Sequence, residues 1–220
     1  MDALLPRPFL FTSSRFDRAY AALGLLPGTH AFADLAALHG QASRHYHGQL
    51  HVSHCLVLLD ENRSLARRPA EIELALWYHD SIYDARGSDN EERSAALADR
   101  DLESSGLEVS SRDRIKGMIL ATRHGQIPSD RDKCLMVDLD LSILGAPSAV
   151  FREYDLAIRE EYAWVPSEAY RTGRRAVLEG FLHRERIYQT PELRDRFEVN
   201  ARANLAAALA GLGGVPTDPA

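Results

Sequence analysis

The chain has 220 residues, of which 45% are hydrophobic and 26% are charged, and its formal net charge is -6. This composition is typical of a folded globular protein and excludes a largely disordered chain. The acidic balance disfavours a nucleic-acid polymer as partner, because phosphate contacts favour a basic surface. No apolar run approaches the roughly 18 residues that a membrane-spanning helix needs, so no membrane partner is expected.

The N-terminal stretch and the cysteines indicate the cellular compartment. The stretch MDALLPRP lacks the basic region and the long apolar segment of a secretory signal. Cys55 and Cys134 lie in apolar helical patterns without a neighbouring cysteine, which favours core thiols over a zinc knuckle or a redox pair. We therefore expect a cytoplasmic protein.

Proline, glycine and Asp/Ser clusters divide the chain into short segments in which apolar residues recur at helical spacing. Without sustained alternation of apolar and polar residues, the sequence predicts an all-α protein. The predicted helices span about 14–25, 30–38, 52–65, 69–82, 90–106, 110–124, 130–144, 148–163, 167–188 and 191–212. No linker or repeat separates two domains, so we expect one domain over residues 1–220.

Local signals set several of these boundaries. Pro69 suits the first turn of a helix, where its missing N–H is tolerated. Gly106 is expected to end the 90–106 helix. Ser110 or Ser111 is a candidate N-cap for the next helix, with Gly125 following its C-terminus.

A His-Asp doublet, His79-Asp80, lies at the end of the apolar run LALWY, on the last turn of the predicted 69–82 helix. A carboxylate in apolar surroundings is usually paired, hydrogen-bonded or metal-bound, because leaving it alone costs several kcal/mol. Imidazole and carboxylate together form a ligand set for zinc, manganese, iron and related ions. Neighbouring residues on a helix point about 100° apart, so further ligands must come from other helices. The candidates are His51 and the aspartates of the segment 138–140.

The order His, His-Asp and a more distant Asp in a helical chain resembles the HD superfamily of metal-dependent phosphohydrolases. The segments that carry the resemblance are YHGQLHVSHCL, ALWYHDSIYD followed by SDNEERSA, DLDLSILG and YRTGRRAVLEGFLHRERIY. They span about residues 30–210 and are similar to a bacterial subfamily of HD-type phosphohydrolases without a defined substrate. The resemblance implies an all-α HD-domain bundle, with a core of about 30–145 and additional C-terminal helices of about 148–212.

The resemblance also implies a ligand set, in which His51 is the first ligand, His79 and Asp80 form the doublet, and Asp140 is the last ligand. Asp138 and Asp140 lie about 200° apart around a helix, so they would not bind the same ion. Asp140 is favoured, and Asp138 is read as a capping or supporting residue. The ion would be divalent, with Mn, Mg, Co, Zn, Ni and Fe all open. It would polarise a phosphoryl oxygen and activate a water that Asp80 helps to orient.

Two further residues are candidates for catalysis. Glu91, in preference to Glu92, is a candidate proton acceptor, although acidic residues in a first helical turn also stabilise the helix dipole. His124 lies between the doublet and the last aspartate, where it could line the site as a substrate contact or a second-metal ligand. Its position at a predicted helix C-terminus offers a simpler reading, because the dipole there favours a cationic imidazole.

Candidates for binding the substrate phosphate come from two residue types. His47 could contact phosphate or cap a turn. Arg123, Arg174 and Arg175 are cationic candidates, because the planar donors of arginine bind phosphate bidentately. A solvated charged face is the alternative for all three, and only one of Arg174 and Arg175 is expected to face a pocket.

These patterns predict a metal-dependent phosphohydrolase, a phosphomonoesterase or phosphodiesterase, that acts on a small phosphorylated metabolite such as a nucleotide. One alternative is an HD-fold iron oxygenase, which needs further histidines between the doublet and the last aspartate, where this chain has His124 alone. Another is a non-catalytic nucleotide-binding or sensor module. The helices from Ser148 onward could equally close the pocket or form the surface of a homodimer.

Overall fold

The computed structural model describes residues 8–213, and most of the N-terminal stretch considered for a secretory signal lies outside this range. Within it the chain forms ten α-helices and no strand, which confirms the all-α prediction. The chain divides into two compact units, with the boundary between Asp140 and Leu141. The first unit contains α1 (Ser13–Ala21), α2 (Ala31–His39), α3 (Gln49–Glu61), α4 (Pro69–Tyr78), α5 (Asn90–Ser104), α6 (Val109–Ala121) and α7 (Arg131–Asp140).

Helix α4 is the central helix of the first unit and contacts α1, α3, α5, α6 and α7. Every residue from Glu71 to Tyr78 is buried, so the helix has no solvent-facing stripe. Its two buried glutamates are paired: Glu71 accepts two hydrogen bonds from Arg114, at 2.8 and 2.7 Å, and Glu73 accepts one from Arg15 at 2.6 Å. These pairs allow charged residues to begin a buried helix, because a buried carboxylate without a partner is strongly destabilising.

Aromatic packing fixes the other end of α4. The Trp77 ring lies 4.8 Å from that of Phe11 and 5.2 Å from that of Phe16, centroid to centroid. The Tyr78 hydroxyl lies 2.7 Å from the hydroxyl of Tyr20. The chain therefore leaves α4 from a rigid position.

The prediction that His79-Asp80 lies on the last turn of a helix reaching residue 82 is wrong, because α4 ends at Tyr78. The His79 N–H still donates to a carbonyl within α4, that of Ala75, at 2.9 Å. The doublet therefore lies in the turn that follows the helix.

The start of α6 also differs from the prediction. Glu108 occupies the N-cap position, and both candidate caps, Ser110 and Ser111, lie inside the first turn. Their hydroxyls donate to the Glu108 carboxylate at 2.7 and 3.1 Å. The serines therefore stabilise the cap residue instead of capping the helix themselves.

The second unit contains a short 3₁₀ helix at Leu141–Gly145, followed by α8 (Ser148–Glu161), α9 (Ser167–Leu182) and α10 (Pro191–Leu212). The single helix predicted over 130–144 is thus interrupted after Asp140. Side chains of this unit donate to carbonyls at both ends of the 3₁₀ helix: the Tyr188 hydroxyl donates to Leu141 O at 2.9 Å, and the Asn204 amide donates to Leu144 O at 2.8 Å. These bonds favour the tighter 3₁₀ turn.

Gly145 allows α10 to pack directly against this turn. A Cβ at position 145 would lie 2.6 Å from both the Cβ and the carbonyl oxygen of Phe197. Any other residue would therefore push α10 away, which explains a glycine at a position that needs no unusual φ.

Within residues 8–213 no single helix is both long and apolar enough to cross a membrane. Two helical segments separated by a bend, Arg131–Gly145 and Ser148–Glu161, together have the length and apolar composition of a membrane span.

Candidate metal centre

Three helices of the first unit bring the predicted ligands together. His51 lies in the first turn of α3, His79 and Asp80 follow the last residue of α4, and Asp140 is the last residue of α7. Each of these helices packs against the other two. The site is therefore built at the ends of mutually packed helices, which is a rigid setting for metal ligands.

The donor atoms of these side chains converge. His51 Nε2 lies 3.1 Å from His79 Nε2 and 3.0 Å from Asp140 Oδ1. Asp80 Oδ2 lies 3.1 Å from His79 Nε2 and 3.6 Å from His51 Nε2. Donors bound to one ion at about 2.1 Å are roughly 3.0 to 3.4 Å apart. His51, His79 and Asp140 therefore form a group that could hold a metal ion. Asp80 is not part of this group, but its Oδ2 lies beside both histidines.

The hydrogen bond of His79 selects the tautomer that a metal needs. His79 Nδ1 lies 2.9 Å from Leu76 O, and a carbonyl oxygen can only accept, so Nδ1 carries the proton. In the neutral imidazole the lone pair is then on Nε2, the atom that faces the other donors. A metal-binding histidine is commonly oriented by such a bond on its second nitrogen.

Burial and charge favour a cation among these donors. Burial alone would lower the pKa of His79, but the carboxylates of Asp80 and Asp140 outweigh it and raise that pKa well above its ordinary value. Burial alone would raise the pKa of both carboxyl groups, yet the neighbouring histidines hold both well below the usual range. A proton on His79 and a divalent cation would therefore stabilise the same pair of carboxylates.

The group is reached from its carboxylate side. The side chains of His51 and His79 are each 1% exposed, whereas those of Asp80 and Asp140 are 17% and 12% exposed. The side chain of His124 is 22% exposed. Solvent therefore contacts the site along the edge that these three residues form.

His124 reaches the group through an unusual backbone conformation. The helix predicted to run to residue 124 ends at Ala121, and His124, not Gly125, has the positive φ, at 57°. Residues with a Cβ rarely adopt this region. Its Nε2 lies 3.1 Å from Asp140 Oδ2, while the other oxygen of that carboxylate faces His51. Asp140 thus connects His124 to the ligand group.

His47 also lies beside the group. Its ring stacks on that of Tyr83, with centroids 4.2 Å apart, and its centroid is 6.1 Å from that of His51. The ring of Tyr46 lies 4.8 Å from the His51 ring. An aromatic layer therefore lines one side of the first ligand.

The structure separates the remaining candidates of the first unit from the ligand group. Asp138 is fully buried and is not part of the group that contains Asp140. Glu91 is half-buried in the first turn of α5, and Arg123 pairs with Glu92 and donates to Ser88 O at 2.8 Å. Among residues 8–213 no hydrogen bond or ion pair joins Glu91 or Arg123 to the four ligand candidates.

The two arginine candidates of the second unit differ in burial. Arg174 is buried, its Nη2 lies 2.7 Å from Asp155 Oδ1, and its guanidinium lies 5.4 Å from the centroid of the Tyr154 ring. Arg175 is half-buried. Arg174 is therefore held inside its own unit by a charge pair and an aromatic contact.

Sequence reasoning missed Arg44. This residue lies in the irregular loop between α2 and α3, and its guanidinium donates to the main-chain carbonyls of Asp80 and Ser81. The bond to Asp80 crosses 36 positions of the chain. No local pattern signals a contact of this kind, because it depends on how the loop folds back onto the end of α4.

Comparison with known proteins gave no match: no family model, no curated protein and no solved structure is similar to this chain. The resemblance to the HD superfamily therefore stays a prediction from the sequence motifs.

Proposed function

We propose that this protein is a metal-dependent phosphohydrolase of the HD type, acting on a small phosphorylated metabolite. The observation that carries the proposal is the convergence of His51, His79 and Asp140 from three helices, with donor separations of 3.0 to 3.6 Å. The Oδ2 of Asp80 lies 3.1 and 3.6 Å from the two imidazoles of this group. The order of these residues along the chain, His51, His79-Asp80 and Asp140, is the order that the sequence resemblance implies.

His51, His79, Asp80 and Asp140 would hold the ion. A mixed set of imidazole and carboxylate ligands suits Mn, Fe, Co, Ni and Zn better than Mg, which prefers oxygen ligands. When bound, such an ion supplies positive charge that stabilises the phosphoryl oxygens and activates water for attack on phosphorus.

The side chains at the exposed edge have separate proposed roles. Asp80 accepts a hydrogen bond from the attacking water and orients it, because its carboxylate is both close to the ligand histidines and partly exposed. His124, held against Asp140, donates a proton to the substrate oxygen that leaves. His47, beside His51, contacts the phosphate. The roles of Glu91, Arg123, Arg174 and Arg175, the cytoplasmic location and the homodimer stay predictions from the sequence.

The test is a hydrolysis screen of purified protein, reconstituted separately with Mn, Co, Ni, Zn, Fe and Mg, against phosphomonoesters, phosphodiesters and nucleotides. We expect release of phosphate, or of one diester product, that disappears on chelation. His79→Ala and Asp80→Ala should lower the rate by at least about 100-fold, because each removes a proposed ligand.

Asp60→Asn is the matched control for these variants. It changes an exposed carboxylate of the same unit, whose partner is Arg15. Metal-loaded protein that is inactive across the whole panel would overturn the phosphohydrolase proposal. Two bound irons per chain with consumption of oxygen would favour the oxygenase alternative instead.

A further inference from the structure

Arg44 ties together two chain segments that carry ligand candidates. Its Nη1 donates to His47 O at 3.1 Å and also to Asp80 O, and its Nη2 donates to Ser81 O at 2.9 Å. His47 belongs to the loop that leads into α3 and His51, while Asp80 and Ser81 belong to the turn after α4. One side chain therefore spans both segments.

The carbonyls of Asp80 and Ser81 lie where a donor is needed. Both residues lie just beyond the end of α4, so neither carbonyl accepts a hydrogen bond within the helix, and the helix dipole favours a cation at this end. A planar guanidinium can donate to several carbonyls in a fixed geometry, whereas the single ammonium of lysine cannot reproduce that arrangement. The geometry of the guanidinium, and not its charge alone, therefore suits arginine to the carbonyls of the turn after α4.

Further contacts fix the guanidinium itself. Its Nε donates to the Gln41 side chain at 3.2 Å, and its Cζ lies 5.7 Å from the centroid of the Tyr83 ring. That ring stacks on His47, whose carbonyl Arg44 also binds. These contacts surround the guanidinium of Arg44 and hold it in one position.

We infer that Arg44 is a positioning residue of the metal centre. By holding the main chain at Asp80 and in the loop before α3, it sets the spacing between the donors of His51, His79 and Asp80. The inference rests on the metal centre of the proposed function. A displacement of about 1 Å is enough to impair such a site. Loss of supporting contacts around ligands typically weakens metal binding by about 10- to 100-fold.

The test measures Co²⁺ binding by titration calorimetry and by visible absorption, in wild type, Arg44→Lys and Arg44→Ala. Both variants should bind Co²⁺ about 10- to 100-fold more weakly, with an altered absorption spectrum that reports the changed ligand geometry. Arg44→Lys keeps the positive charge, but this charge alone should not restore the affinity for Co²⁺.

Arg15→Lys is the matched control. Arg15 also makes several guanidinium hydrogen bonds in the first unit, to Asp60 at 2.8 and 2.7 Å and to Glu73 at 2.6 Å, but it bonds neither the loop before α3 nor the turn after α4. This variant should bind Co²⁺ with nearly wild-type affinity even if its thermal midpoint falls. Millimolar guanidinium should partly restore Co²⁺ affinity to Arg44→Ala and leave wild type unchanged.

Each outcome decides a separate point. Wild-type affinity in the folded Arg44 variants, or an equal loss in Arg15→Lys, overturns the inference and leaves the proposed function intact. If Arg44→Ala does not fold, Arg44→Lys gives the decision. Wild-type protein that binds no Co²⁺ overturns both proposals, whereas tight Co²⁺ binding without any phosphoester hydrolysis counts against the function alone.

Discussion

The two ends of α4 treat buried charge in opposite ways. At its start the carboxylates of Glu71 and Glu73 are neutralised by arginines that belong to the protein, Arg114 and Arg15. At its end the carboxylate Oδ2 of Asp80 lies 3.1 Å from Nε2 of His79, where either a proton or a metal ion could stand between the two groups. A buried charge needs a partner at both ends. At the start of α4, here called the permanent end, the partner is a fixed arginine. At the other end, here called the exchangeable end, the partner can be a proton or a metal ion. This difference separates a structural ion pair from a candidate metal site.

The largest expected effect comes from breaking the exchangeable end. Asp140→Ala removes a ligand candidate whose carboxylate lies 3.0 Å from Nε2 of His51 and 3.1 Å from Nε2 of His124. Metal affinity should fall by more than about 100-fold, because losing a ligand exceeds the effect of losing a supporting contact. Calorimetric titration with Mn²⁺ and Co²⁺ measures this loss. An Asp140→Ala protein that binds either ion as tightly as wild type would exclude Asp140 as a ligand.

Breaking the permanent end should reduce stability without affecting the metal. Glu73→Ala leaves the guanidinium of Arg15 with Asp60 as its remaining carboxylate partner. We expect a loss of about 3 kcal/mol in the free energy of unfolding, at the lower end of the range for a broken buried pair. Urea denaturation of the metal-free protein measures it. Weaker metal binding in this variant, under conditions where it is folded, would contradict the division between the two ends.

Acid should destabilise the exchangeable end through His39, which lies 3.3 Å from Trp77 O in the last turn of α4. Burial, with the charge of Arg44, lowers the pKa of His39 from 6.5 to about 3, although the charge of Asp80 opposes the shift. The unfolded chain then binds a proton that the folded chain excludes. Stability contributed by neutral His39 is present above pH 6.5 and is lost as pH falls toward 3.

The slope of this loss should be about 1.4 kcal/mol per pH unit within that window. Urea unfolding of metal-free protein between pH 4 and 7 measures it, with His39→Gln as the comparison. The variant should show a flatter dependence on pH. Identical slopes in the two proteins would show that His39 is not responsible.

The smallest effect is expected where charges pair on the surface, away from both ends of α4. Arg123 and Glu92 form such a pair, with side chains 51% and 42% exposed. Arg123→Gln should change the free energy of unfolding by less than about 1 kcal/mol. If Arg123 binds the substrate phosphate as the sequence predicts, KM should rise while metal affinity stays constant. Arg93→Gln, which changes an exposed arginine of α5 next to Glu92, is the control. A KM of Arg123→Gln equal to that of wild type would exclude Arg123 from the site.

Over residues 8–213 the sequence predicted the number and order of the helices, because proline, glycine and polar clusters separate the apolar segments. The predicted C-terminal ends were too late at several helices: α3, α4, α7 and α9 end at Glu61, Tyr78, Asp140 and Leu182, not at about 65, 82, 144 and 188. Beyond α4 and α7 the carbonyls accept hydrogen bonds from distant side chains, Asp80 O and Ser81 O from Arg44 and Leu144 O from Asn204. The spacing of apolar residues in the sequence does not indicate such distant hydrogen-bond partners.

The candidate site shows the same limit. The motifs supplied His51, His79, Asp80 and Asp140, because residue type and order are properties of the chain. The contact of His124 with Asp140 depends on a single positive φ, and backbone angles at a non-glycine residue cannot be read from residue type.

The conformation of His124 also has an evolutionary consequence. Glycine would adopt this φ without steric penalty, whereas a residue with a Cβ is held there at a cost of about 1 to 3 kcal/mol. Selection for a larger free energy of unfolding alone would favour glycine at position 124. If His124 has its proposed role, stability and activity compete at this position, and a stabilising substitution there would be expected to impair the proposed activity.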